Sequence, residues 1–163
     1  MKPQATEAAV RVLDAGGNAF DAAVAGQAVL ALVDPAMNGI GGDAVVLVYD
    51  AKTKQVVSID AGGPAPRLAT VEWYAAHHGG RLVVDDSLLA AVVPGVVDAW
   101  YTLLARWGTM AFGDVLQPAI NVAEQGFALT RGLAESMNRS PKLRKYPTSA
   151  ALYQPPGVTW REG

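Results

Sequence analysis

Cysteine is absent from the sequence, which excludes disulfide frameworks, zinc-thiolate sites and thiol nucleophiles together. Charge is scarce as well: 17% of the 163 residues are charged against 51% hydrophobic, and the formal net charge is -2. No Lys/Arg cluster stands out, so the electrostatic footprint of a nucleic-acid binder is missing and that class is set aside. A membrane span is lacking too. The longest apolar stretch, Ala22 to Val33, is interrupted only by Gly26 and Gln27 and falls well short of the roughly 20 residues a bilayer needs. No basic n-region followed by an apolar h-region opens the chain, so no export signal is read and a cytoplasmic location is the expectation. A chain so poor in charge hides most of its surface, some of it against another polypeptide.

What is present is helical periodicity punctuated by glycine and proline. Apolar residues from Ala5 through Ala8, Ala9, Val12 and Leu13 form a stripe, and Gly16-Gly17 supply the left-handed residue that ends such a helix. Asn18 is placed to cap a second helix over Ala19 to Val33, with Asp21 three positions on to answer the capped amide. Its alanines (Ala22, Ala23, Ala25, Ala28, Ala31) allow close approach on nearly every side, and Asp34-Pro35 stops it. "NGIGGD", Asn38 to Asp43, then launches the strand run "AVVLVYD", "AKTKQ" makes a polar hairpin connection, and "VVSID" returns as partner strand. Valine on both parities predicts strands covered on both faces. Helical patterns follow over Thr70 to His77, over Gly95 to Trp107 with Val96, Val97, Trp100, Leu103 and Leu104 on one side, over Val115 to Gln125, and over Thr130 to Ser140. The last stretch, from Tyr146, is broken by Pro and Gly and is expected to lack a closing element. The fold class is therefore α+β, read as one partial domain over residues 1–163. Two adjacent strands do not make a stable sheet alone, so the sheet is expected to be completed from outside this segment.

Each chemical constellation has a plain structural alternative. The glycines of "GIGGD" follow a helix and open a strand, so they present no helix N-terminus to a phosphate and read better as a tight turn. His77 and His78 are neighbours, about 100 degrees apart on a helix, and cannot share one metal; they read as solvated imidazoles at a helix end. Asp85-Asp86-Ser87 precede a Leu-rich segment and read as a cap rather than a metal loop. Trp100, Tyr101 and Trp107 fall at helical spacing and read as packing. No Gly-x-Ser-x-Gly elbow is present. From the residues alone no catalytic site, metal site or cofactor is assigned.

The run "VLDAGGNAFDAAVAGQAVLALVDPAMNGIGGDAVVLVYD", Val12 to Asp50, closely resembles the start of the large subunit in the gamma-glutamyltranspeptidase (glutathione hydrolase) family. The likeness continues through Asp60, Ala65-Pro66, Val93-Pro94-Gly95, Trp107-Gly108-Thr109-Met110 and "QPAINVAEQGF", Gln117 to Phe127. The resemblance implies an N-terminal-nucleophile hydrolase with a four-layer α-β-β-α sandwich, made as a zymogen that cuts itself into large and small subunits. The new N-terminal Thr of the small subunit would attack an amide carbonyl, its own α-amine serving as base. An acyl-enzyme would then pass its acyl group to water or to an amine. The small subunit would be the partner and would supply the missing central strands.

Two departures shape the expectation. None of the threonines stands in a Thr-Thr-His or Thr-Ser-His setting, so the resemblance places the nucleophile and the oxyanion donors beyond Gly163, and this segment alone is not expected to turn over. The family's transpeptidases also carry Arg-Glu after the Asp of the loop, where that Arg grips the substrate α-carboxylate as a two-pronged donor. Here those positions are Gly62 and Gly63. Losing such a buried pair costs roughly 2 to 5 kcal/mol, about 30-fold to several-thousand-fold in rate. Substrate-binding positions are therefore expected at Gly62 and Gly63, with Arg67 as a candidate replacement cation against a plain surface role. The expected activity is hydrolysis of a small amide. A glutathione-cleaving transpeptidase, and a non-catalytic scaffold for a separately encoded nucleophile subunit, are the alternatives, and homo-oligomerisation is left open.

Overall fold

A computed structural model describes residues 2–81 and 87–163. Helix α1 (Pro3–Asp14) begins on a proline, whose fixed φ and missing N–H suit the first turn. Gly16 carries φ +93° at its end. Helix α2 (Ala19–Val33) starts on a reciprocal capping box: the Asn18 side chain accepts from the amides of Phe20 and Asp21, and the Asp21 carboxylate accepts from Asn18 N. Both caps and both bounds of α2 were legible in the sequence. Its buried residues include Val24, Ala25, Gly26, Ala28 and Val29, whereas Ala23 is exposed, so one flank of the helix stays open rather than being covered all round. Gly26 lets α1 lie close, since a Cβ there would stand 3.3 Å from the Ala5 carbonyl oxygen.

Strands β1 (Val45–Asp50) and β2 (Gln55–Asp60) pair antiparallel with Val46 opposite Ile59 and Val48 opposite Val57. These four side chains face the helical core, where Val48 is buried and the others pack against it. The opposite parity corrects the expectation of two covered faces: Val45 and Leu47 are 75% and 73% exposed, and Tyr49 and Val56 are exposed beside them. The described residues supply only one layer of packing, so half of an apolar sheet is bare.

Helix α3 (Val71–His78) is capped by Thr70, which accepts from Trp73 N at 3.1 Å, and buries none of its residues. Helix α4 (Val96–Trp107) buries Val96, Ala99, Trp100, Leu103 and Leu104. Val97 is exposed instead of sharing that face, because it lies about 100 degrees round the helix from Val96. Tyr101 is exposed and rests edge-on against Phe112, while Trp107 sits part-buried beside Phe20. Helix α5 (Phe112–Gln125) starts one turn before its expected bound and crosses α2, with Val115 and Ala119 buried. Helix α6 (Arg131–Arg139) lies within the expected range and takes Thr130 as its cap. The tail does not peter out. Prolines at first-turn positions start α7 (Pro141–Lys145) and α8 (Pro147–Tyr153). The last residues are also tied back: Trp160 Nε1 donates to the Tyr153 carbonyl at 2.6 Å, and Trp160 N to Asn138 Oδ1 at 3.0 Å.

The α1, α2, α4 and α5 helices and the inner sheet face share one hydrophobic core. Among the described residues the sheet has two strands, and no helix is long and apolar enough to cross a membrane.

Candidate functional site

Three chain segments meet at the end of the hairpin, each brought there by glycine or proline. The loop after β2 turns on Asp60, whose Oδ1 accepts from Gly62 N at 2.9 Å. Ala61 N donates to Ala44 O at 2.9 Å, Gly95 N to Gly42 O at 3.0 Å, and Val93 N to Pro64 O at 3.3 Å. The glycine turn before β1, the loop after β2 and the connection into α4 are thus stitched together through backbone alone.

Two glycines at this junction have no alternative. Gly63 has φ +64°, and a Cβ on it would overlap the Val93 carbonyl oxygen. A Cβ on Gly95 would overlap the Ala61 carbonyl oxygen. Gly62 differs, since its Cβ would meet only the Asp60 carboxylate, at 3.0 Å. Gly62 and Gly63 are therefore brought into one junction with Gly42, Val93 and Gly95, which sequence reasoning recorded as a turn and as part of the family likeness but did not join to the loop after β2. Arg67 is not drawn into it. It is exposed in the turn closed by Ala69 N on Pro66 O at 2.8 Å, and it forms no ion pair among the described residues.

Next to the junction lies a cavity of about 420 Å³ whose walls include Asn38, Gly41, Gly42, Asp43, Ala44 and Trp100. Gln27 Nε2 donates to Asn38 Oδ1 at 2.9 Å and holds the start of the glycine turn against α2. The turn runs between α2 and β1, where its place in the sequence put it. His77 stacks on Trp73 with centroids 4.5 Å apart, and its Nδ1 lies 2.8 Å from Trp73 O, so its imidazole belongs to the last turn of α3. Of the expected cap at residues 85–87, positions 85 and 86 lie outside the described residues. Ser87 does cap a short 3-10 turn by accepting from Leu89 N at 3.2 Å.

At the far end of α4 from the junction lies a polar knot that spans 88 residues of sequence. Asp21 is fully buried, and besides its capping bond it accepts from Thr109 Oγ1 at 2.6 Å, Thr109 N at 3.1 Å and Met110 N at 3.3 Å. Asn18 Nδ2 donates to Trp107 O at 2.6 Å. This locks the start of α2 to the end of α4, the helix whose N-terminal connection completes the junction. Burial opposes ionisation of Asp21, but the hydrogen bonds from the Thr109 hydroxyl and from the Asn18, Thr109 and Met110 amides outweigh it and hold the carboxyl below its ordinary range.

Comparison with known proteins adds what this geometry cannot. The family model described as Gamma-glutamyltranspeptidase matches residues 5–163. The glutathione hydrolase proenzyme of Bacillus subtilis (strain 168) is 34% identical over 164 residues, which cover 99% of this chain and 28% of that protein. The acylase ACY 1 proenzyme of Pseudomonas sp. (strain SE83) is 36% identical over 170 residues, covering 99% of this chain and 30% of that one. The crystal structure of Helicobacter pylori gamma-glutamyltranspeptidase superposes with a TM-score of 0.89 at 34% identity, over 99% of this chain and 47% of the other. The chain thus spans less than a third of the length of these two proenzymes.

Proposed function

This chain belongs to the gamma-glutamyltranspeptidase family, and from that premise we propose that it is the leading part of a large subunit in an amide hydrolase working through an acyl-enzyme. The nucleophilic Thr would come from a small subunit released by self-cleavage of the same precursor. Its hydroxyl would add to the amide carbonyl, its α-amine would take the hydroxyl proton and return it to the departing amine, and water would then release the acyl group. The bare apolar face of β1 and β2 suits this reading, because a second sheet laid on it would complete the α-β-β-α sandwich. That the matched relatives carry this region within single proenzymes favours an in-frame continuation over a separately encoded nucleophile subunit.

The observation that carries the substrate reading is the junction at Gly62-Gly63. On this reading the junction would line the substrate pocket with backbone where relatives would present Arg-Glu, and the overlap at Gly63 leaves no room for a second side chain there. A substrate gripped by its α-carboxylate loses about 2 kcal/mol or more of binding in such a site, so small amides without that group are the favoured class, and hydrolysis is favoured over transfer.

The test is direct. Full-length precursor, incubated after purification, should separate into two chains, the shorter beginning with Thr by mass spectrometry. The processed enzyme should hydrolyse simple acyl anilides with kcat/KM at least 30-fold above that for gamma-glutamyl-p-nitroanilide. Strong glutamyl turnover that disappears in Arg67→Ala would replace this reading with that of a glutathione-cleaving transpeptidase.

A further inference from the structure

The chain leaves the glycine junction at Pro64 and returns to it at Val93, where the two are hydrogen-bonded. What lies between is an excursion rooted in the site. Helix α3 within it buries no residue, so its apolar side chains contribute little to the core. They form instead an open trough of about 260 Å³ whose walls include Pro66, Leu68, Trp73, Tyr74, Leu88 and Leu89. Its shape is braced rather than accidental: the Tyr74 hydroxyl donates to Leu89 O at 2.7 Å, joining the helix to the opposite wall, and His77 stacks behind Trp73 at 4.5 Å.

Three properties define what fits. No charged side chain lines the trough among the described residues, which suits an uncharged group there. Leu68 and Leu88 remain 82% and 71% exposed, so apolar surface is open for a ligand to cover. The volume falls below the roughly 300 to 1,000 Å³ of pockets that take whole ligands, which suits one ring or one short alkyl chain. Pro66 belongs both to this wall and to the loop that follows Gly62 and Gly63.

We propose that this trough is the subsite for an apolar acyl arm of the substrate, either aryl or short alkyl, so that an apolar wall takes over the selectivity that a charged clamp would otherwise supply. This rests on the reading that the Gly62–Pro66 loop lines the substrate pocket of an amide hydrolase.

The test uses the full-length protein and p-nitroanilides of acetate, butyrate and phenylacetate. The expected result is a kcat/KM for phenylacetyl at least tenfold above acetyl, with that ratio falling to within threefold in Trp73→Ala and in Leu88→Ser. The second variant alters an exposed side chain and guards against a folding failure of the first. A ratio near one in the wild type, or one that survives both substitutions, overturns the proposal. Should no anilide be cleaved, the hydrolase reading fails separately, and binding of phenylacetamide against acetamide, read by tryptophan fluorescence, still decides the subsite. Tighter phenylacetamide binding that Leu88→Ser abolishes supports it, and equal or absent binding rejects it. A trough occupied by another segment of the full-length chain would show as loss of stability in Trp73→Ala with an unchanged acyl preference, which also rejects it.

Discussion

Asp21 carries more of the fold than any other charged residue among those described. Its carboxylate accepts from the Asn18 amide and from Thr109 and Met110 in a site without solvent exposure. Replacing it with Asn puts an amide NH2 in place of one accepting oxygen, so either Met110 N or Asn18 N loses its partner. The expected destabilisation of Asp21→Asn is about 2 to 4 kcal/mol, the range for orphaned buried groups that had bonded a charge. Because the folded-state pKa is lowered, the stabilisation is fully present above the unfolded value, about 3.9, and is lost as pH falls through the lower folded value. Denaturation between pH 2 and 7 should therefore show a shallower acid limb in Asp21→Asn than in the wild type; parallel acid limbs would remove Asp21 from this role. Half of the knot was legible in the sequence, since Asn18 and Asp21 stand at capping spacing before an apolar run. The other half was not. Thr109 and Met110 lie 88 and 89 residues away, and no local pattern marks which helix end a buried carboxylate will reach.

At the scale of elements, the bounds of α2 and the hairpin could be read because cap, periodicity and turn chemistry agreed there. Helix α8 was missed because the prolines from Tyr146 on were read as breaks, and α7 was given no reading, when Pro141 and Pro147 each occupy a first turn that requires no N–H. The glycine junction was half read: Gly62 and Gly63 were marked as site positions, but the segment that closes on them, at Val93, comes some thirty residues later. That geometry separates two substitutions which the sequence treats as a pair. Gly62→Arg adds a Cβ 3.0 Å from the Asp60 carboxylate, which can turn aside, and should leave the melting temperature nearly unchanged. Gly63→Glu forces a left-handed φ on a residue with a Cβ and drives that Cβ into the Val93 carbonyl. It should destabilise by about 2 kcal/mol or more, beyond the roughly 1 kcal/mol of the conformational term alone. Thermal melts of the two variants decide the matter, and a Gly63→Glu protein as stable as Gly62→Arg would show that the junction does not close as described.

At the scale of the whole molecule, the low charge and the two-stranded sheet have one explanation. Val45, Leu47, Tyr49 and Val56 form a continuous exposed apolar face, and covering four such side chains is worth about 1.5 to 3 kcal/mol each before ordering costs. The sequence signalled this through valine on both strand parities, and two strands too few for a stable sheet raised the expectation of completion from outside this segment; which parity stays bare was not legible. If that face receives a second sheet in the full-length protein, a charge on it must act in opposite directions in two contexts. Leu47→Glu in the full-length precursor would be buried without a partner and should prevent formation of the two processed chains seen by gel electrophoresis. The same substitution in the 163-residue chain alone puts a charge on an open apolar face and should lower its tendency to self-associate, measured by sedimentation. Lys52→Glu, exposed in the hairpin turn, should do neither. A Leu47→Glu precursor that matures normally would mean the face stays uncovered, and the sheet would then need another explanation for its valines.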